Sequence, residues 1–199
     1  MALSPKFDEA LAYVSDLHRT QLRKGTTIPY VSHLLCVAGM VLEDGGDEDE
    51  AIAALCHDGI EDRPRGGDTR REIEQKFGAR VLAIVEACTS QKPDASLSEE
   101  DRQTLRRTFK AEYLQRMRDT KDPSVLRVMA ADKLHNARAI VADLHQVGPS
   151  IWSRFNGTRE ETLRHFQHAV EALTDAGAPP RILRELHGAV AEMLALAAA

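Results

Sequence analysis

The chain has 199 residues, 43% hydrophobic and 29% charged, with 8 prolines, 12 glycines and a formal net charge of −5. That balance suits one soluble globular domain and excludes a disordered chain, while the acidic excess argues against a nucleic-acid partner, which needs a sustained basic field. No run of about 18 apolar residues and no basic-then-apolar leader occurs, so no membrane role is expected and the expected location is the cytoplasm.

Apolar residues recur at helical spacing almost throughout, and no run of alternating β-branched residues appears, so the fold class is predicted to be all-α. A first helix is expected over 6–22, and a second opens near Tyr30, behind Pro29, and stops at Gly45-Gly46. A third begins at Asp47 and carries the apolar run Ala51-Ile52-Ala53-Ala54-Leu55-Cys56 directly into His57, Asp58, Glu61 and Asp62. Further helices are expected at roughly 79–90, 99–118, 123–145, 158–176 and 179–197, with loops at 63–68 and 91–98. Asp47-x-x-Glu50, Thr69-x-x-Glu72 and Thr158-x-x-Glu161 read as capping boxes, and Asp122-Pro123 as an N-cap followed by an N1 proline. No repeat or linker divides the chain, so 1–199 is read as a single compact multi-helix domain, with its core at about 5–175 and a C-terminal helix at about 179–197. Cys36, Cys56 and Cys88 sit among aliphatic neighbours without metal-ligand spacing and read as buried, reduced thiols.

Chemistry concentrates at few places. On a continuous helix His57 would stack with Glu61 and Asp58 with Asp62, gathering one imidazole and three carboxylates that repel each other unless a cation joins them. Asp132 shares a core-facing stripe with Val125, Met129 and Asn136, and a buried carboxylate there needs an ion, a base or a metal; neighbouring Lys133 is expected to point elsewhere on its helix. His33, on a stripe with Val37 and Val41, completes a set of two imidazoles and two carboxylates suited to a divalent first-row ion. His165-x-x-His168 also has ligand spacing but no converging partners.

The order His33, His57-Asp58, Asp132 resembles the H, HD, D pattern of the HD superfamily. Arg23-Lys24-Gly25, Pro29-Tyr30-Val31-Ser32-His33, His57-Asp58-Gly59-Ile60-Glu61-Asp62 and Ala131-Asp132-Lys133-Leu134-His135-Asn136 resemble successive motifs of the RelA/SpoT hydrolase domain, in its small alarmone hydrolase branch. The resemblance covers about 5–175. It implies hydrolysis of the 3′-pyrophosphate of a guanosine or adenosine alarmone, with one divalent metal ion, Mn²⁺ by family habit, held by His33, His57, Asp58 and Asp132. It places Glu61 and Asp62 as the catalytic pair, and Arg23, Lys24 and Asn136 against a purine nucleotide substrate. Gly59 departs from the larger residue common there, and Trp152 to Phe166 matches the nucleoside-side motif loosely. Lys92, Arg154 and Arg159 are further candidates for phosphate contact. A phosphomonoesterase acting on NADPH, a nucleotide-binding module without turnover, and self-association into a homo-oligomer stay open.

Overall fold

The structure, a computed structural model, describes residues 2–62 and 68–198, apart from the Asp62 side chain. Its helices are α1 (Pro5–Leu17), α2 (Val31–Glu43), α3 (Glu48–Cys56), α4 (Gly59–Asp62), α5 (Thr69–Phe77), α6 (Ala79–Cys88), α7 (Glu99–Asp119), α8 (Pro123–Val147), α9 (Arg159–Ala176) and α10 (Pro180–Ala198). A 3₁₀ segment, Gly148–Arg154, links α8 to α9. The all-α expectation holds: among the described residues extended pairing is limited to an isolated bridge between Leu22 and Pro29.

That bridge explains the first departure from the sequence reading, since α1 stops at Leu17 and not near residue 22. Residues 21–30 turn back on themselves through Arg23 N→Ile28 O (2.8 Å) and Tyr30 N→Gln21 O (2.9 Å), with Leu22 left half exposed. Gly25 takes φ +69° at the bend, and an added Cβ would lie 2.7 Å from Arg154 Cγ, so both the conformation and the space demand glycine.

The capping boxes at Asp47 and Thr158 are complete, each with both reciprocal hydrogen bonds, and Asp122 caps α8 through Ser124 N ahead of Pro123. The third expected box is displaced: Asp68 is the N-cap of α5, accepting from Arg71 N at 3.1 Å, while Thr69 lies inside the helix and is buried. Of the loops, 91–98 is irregular as expected, and 63–67 lie outside the described residues.

α8 is the axis of the molecule, packed by α2, α3, α6, α9 and α10. The run Ala51–Cys56 is wholly buried because α3 meets α1, α2, α5, α6 and α8 and so has no solvent face. Arg127 ties this centre together by bonding Asp44 (2.8 Å) and Glu50 (2.5 Å) in a nearly dry environment. Asp44 also accepts from Ile182 N (3.0 Å), which anchors the start of α10. Cys56 and Cys88 are buried free thiols, whereas Cys36, expected to be buried, is exposed because it lies beside Leu35 on the outward face of α2.

Candidate metal centre

The expected continuous helix through residues 57–62 is interrupted. α3 ends at Cys56, His57 and Asp58 form a turn, and Gly59 starts the short α4. The turn presents both side chains to one point. His57 Nδ1 donates back to Ala54 O at 2.8 Å, which leaves Nε2 with its lone pair facing inward when the ring is neutral. Asp58 accepts a hydrogen bond from the Tyr30 hydroxyl, so the residue just ahead of α2 fixes the carboxylate.

His33, in the first turn of α2, is buried and meets His135 Nδ1 through its own Nδ1 at 2.7 Å. One ring must donate and the other accept. Burial, reinforced by His33, pushes the His135 pKa down to about 4, so a neutral His135 can accept from His33 and leave His33 Nε2 as a ligand atom.

These two Nε2 atoms converge with Asp58 Oδ2, at 3.6 Å from His33 and 3.1 Å from His57. His33, His57 and Asp58 each offer a donor atom within 4.8 Å of the others, close enough to share a metal ion. Asp132 arrives from the middle of α8, with Oδ1 3.3 Å from His33 Nε2 and 3.6 Å from His57 Nε2. His57 Nε2 is buried yet has no hydrogen-bond partner among the described residues. An orphaned imidazole nitrogen amid carboxylate oxygens fits a mixed nitrogen and oxygen metal site.

Without a cation between them, the carboxylates favour a proton on His57 in its place. Burial disfavours charged His57, but Asp58 and Asp132 outweigh it and hold its pKa well above the imidazole range. Burial likewise works against ionised Asp58 and Asp132, yet the imidazoles beside Asp58, and Lys133 with the imidazoles beside Asp132, hold both well below the usual carboxylate range.

Lys133 does not point elsewhere on α8, as its sequence position suggested. It is mostly buried, 2.9 Å from Asp132 Oδ2 and 5.1 Å from the Tyr113 ring centroid. Burial lowers its pKa, but Asp132, with Asp58 and Glu61, raises it overall. Asn136 donates to Asp132 Oδ1 (2.6 Å) and accepts from Arg23 (2.7 Å), linking two expected substrate residues to the acidic centre. Arg23 also lies over Tyr30. Glu61 borders the same region, accepting from Ser90 N at 3.2 Å with Lys92 Nζ 3.6 Å away; the Asp62 side chain lies outside the described residues. Lys24 reaches across to Asn156. Arg154 pairs with Asp143 at 2.8 Å, and Arg159 turns to Glu160 and Ala197 O, toward the end of α10.

Sequence reasoning thus missed Tyr30, His135 and Lys133 as supports of the centre. Tyr30 and Lys133 adjoin quoted motifs, but only tertiary geometry shows that their side chains reach a carboxylate.

A family model described as HD domain matches residues 10–163. A Xenopus tropicalis protein named guanosine-3′,5′-bis(diphosphate) 3′-pyrophosphohydrolase MESH1 is 33% identical over 168 residues, covering 83% of this chain and 81% of its own. A Synechocystis protein named probable guanosine-3′,5′-bis(diphosphate) 3′-pyrophosphohydrolase is 35% identical over 67% of this chain, which spans only 16% of that longer relative. A solved structure described as a metazoan ortholog of SpoT that hydrolyses ppGpp matches with TM-score 0.70 at 25% identity, covering 95% of this chain and 96% of its own.

Proposed function

Since the chain belongs to the HD-domain family, in its RelA/SpoT-type hydrolase branch, we propose that it removes the 3′-pyrophosphate of guanosine tetra- or pentaphosphate, giving GDP or GTP and pyrophosphate. The observation that carries the reading is the convergence of His33, His57 and Asp58 donor atoms within 4.8 Å of one another, in a chain that aligns with most of the length of a relative of that name.

In this reading His33, His57, Asp58 and Asp132 hold one divalent ion, Mn²⁺ by preference, and the enzyme works in the cytoplasm. When bound, such an ion lowers the pKa of water and neutralises charge on a phosphoryl oxygen. Glu61, with Lys92 Nζ 3.6 Å away, accepts the proton of the attacking water, and Asp62 is the second member of the catalytic pair. The water oxygen joins phosphorus, the bond to the 3′ oxygen breaks, and that oxygen takes up a proton. Arg23, over Tyr30 and bonded to Asn136, offers a guanidinium face to the purine, and Lys24 a point charge to a phosphate.

The test is product analysis after incubating metal-reconstituted protein separately with ppGpp, ppApp and NADPH, with Mn²⁺ and then with a chelator. Pyrophosphate and GDP, both lost on chelation, are expected from ppGpp. Orthophosphate from NADPH alone, or turnover unaffected by chelator, overturns the reading.

A further inference from the structure

The last carbonyls of a helix have no partner within it, and at the end of α6 a side chain from α7 answers them. Arg116, half-buried in the last turn of α7, sends Nη1 to Thr89 O at 2.7 Å and to Ala87 O at 3.4 Å. A cation there suits the negative end of the α6 dipole, and capping alone would account for that much. The contact continues beyond the cap. Thr89 O and Ser90 N belong to one peptide group, and Ser90 N donates to Glu61 Oε2 at 3.2 Å. In a trans peptide the C=O and N–H point to opposite sides of a rigid plane, and among the described residues no peptide is cis. The Thr89-Ser90 peptide is therefore clamped between the Arg116 guanidinium and the Glu61 carboxylate.

Further contacts fix both ends of this clamp. Lys92, two residues beyond Ser90, places Nζ 3.6 Å from Glu61 Oε1, so the 89–92 segment meets both oxygens of the carboxylate. Thr89 Oγ1 bonds Val85 O at 2.8 Å, which pins the start of that segment to α6. Glu61 itself rides on α4, only four residues long, so its aim depends on what α6 and α7 bring to it. Arg116 is set in turn by Tyr113, one turn earlier on α7: the guanidinium lies 5.8 Å from the centre of this buried ring. The same ring holds Lys133 Nζ at 5.1 Å, and Lys133 pairs with Asp132 at 2.9 Å. One aromatic platform thus carries two cations. One reaches the metal centre through Asp132, and the other reaches Glu61 through a peptide.

We propose that Arg116 is a positioning residue for the hydrolysis, which orients Glu61 through the Thr89-Ser90 peptide. The inference rests on the reading of Glu61 as the group that takes the proton of the attacking water. With Oε2 tied to Ser90 N and Oε1 facing Lys92, the carboxylate cannot turn freely about its last bond, and its remaining lone pairs are presented in one direction. A guanidinium on the carbonyl also makes the N–H of that peptide a better donor, because hydrogen bonds in a chain polarise one another. Arg116 acts at one remove from the reacting atoms, so its loss disturbs proton transfer and leaves metal and substrate binding in place.

The test combines Arg116→Met, which keeps the stem and removes the donors, with Arg116→Lys and with Glu61→Gln, all assayed on ppGpp with Mn²⁺. Arg116→Met is expected to lower kcat about ten- to hundredfold, the scale of a misplaced catalytic group. Its KM and its Mn²⁺-induced rise in melting temperature should be little changed. Arg116→Lys, which keeps a charged donor for Thr89 O, should recover most of the rate. In the Glu61→Gln background Arg116→Met should cost little more, because both changes remove one function. A merely structural cap lowers kcat by the same factor in both backgrounds. That result, an undiminished kcat in Arg116→Met, or loss of its Mn²⁺ response overturns the proposal. Full kcat in Glu61→Gln alone refutes the assignment of the base, and the proposal falls with it. If wild type does not hydrolyse ppGpp, the alarmone reading has failed, and the Ser90 amide of ¹⁵N-labelled, Mn²⁺-free protein decides the clamp. A signal that moves upfield and exchanges faster in both Arg116→Met and Glu61→Gln supports it, and an unmoved, equally protected amide in Arg116→Met refutes it.

Discussion

Replacing Asp132 by Asn keeps the shape of the side chain and removes its charge. In the parent, Oδ2 faces Lys133 Nζ at 2.9 Å and Oδ1 accepts from Asn136 at 2.6 Å, with Asp132 and Lys133 side chains only 13% and 14% exposed. Abandoning one member of a buried pair costs roughly 3–5 kcal/mol. Asp58 and Glu61 also attract Lys133, so the expected loss in metal-free protein is smaller, about 2–3 kcal/mol, or roughly 5–10 °C in melting temperature for a chain of this size. The decisive quantity is the response to metal. At 100 times its Kd, Mn²⁺ should stabilise wild type by about 2.7 kcal/mol and Asp132→Asn hardly at all. Melting curves with and without Mn²⁺ measure both effects, and the activity of the variant should vanish with the metal response. A metal-induced rise in Asp132→Asn equal to that of wild type would remove Asp132 from the metal set.

Glu61→Gln should keep the metal-induced rise in melting temperature while kcat drops by about 10²–10⁴, the usual range for losing a general base; loss of the metal response would make Glu61 structural. Arg127→Met strands Asp44 and Glu50 in a nearly dry environment, and should cost about 3–5 kcal/mol in urea unfolding without abolishing metal binding; a loss under 1 kcal/mol contradicts this. Acid should act through His165: because burial pushes its folded pKa down to about 3, the unfolded chain takes up that proton first. Its contribution is full above about pH 6.5 and declines toward pH 3, by up to about 1.4 kcal/mol per unit. His165→Gln should flatten the melting temperature between pH 6 and 4, and an unchanged slope refutes that assignment.

The long helices were legible because their signals are local. Asp47, Asp122 and Thr158 cap where their side chains can reach the first amides, and the apolar period carries α7 to α10 almost to their observed ends. The failures occur where tertiary contacts decide. Leu22 has an apolar side chain that extends the helical pattern of α1, yet backbone pairing between Leu22 and Pro29 prevails. His33, His57, Asp58 and Asp132 could be put forward as ligands from the sequence because buried acids and imidazoles are costly unless joined, and the fold brings their side chains within 3.1–3.6 Å of one another in pairs. Lys133 could not be placed, because adjacent helical residues diverge by about 100° and only the bend of a long, flexible side chain brings its ammonium back to Asp132.

The break after Cys56 has a consequence for the departure at Gly59. His57 keeps helical dihedrals as the C-cap of α3 (φ −58°, ψ −31°), and the two side chains are aimed by their partners, His57 tied back to Ala54 O and Asp58 held by Tyr30. The chain must then restart as α4 directly against α1. A Cβ at Gly59 would lie 3.1 Å from Leu17 Cδ2 and 3.6 Å from Thr69 Cγ2, and Leu17 is itself buried at the end of α1. The small residue at 59 and the early end of α1 are therefore complementary. A larger side chain at 59 requires Leu17 to yield, and the strain would fall on the turn that aims His57 and Asp58.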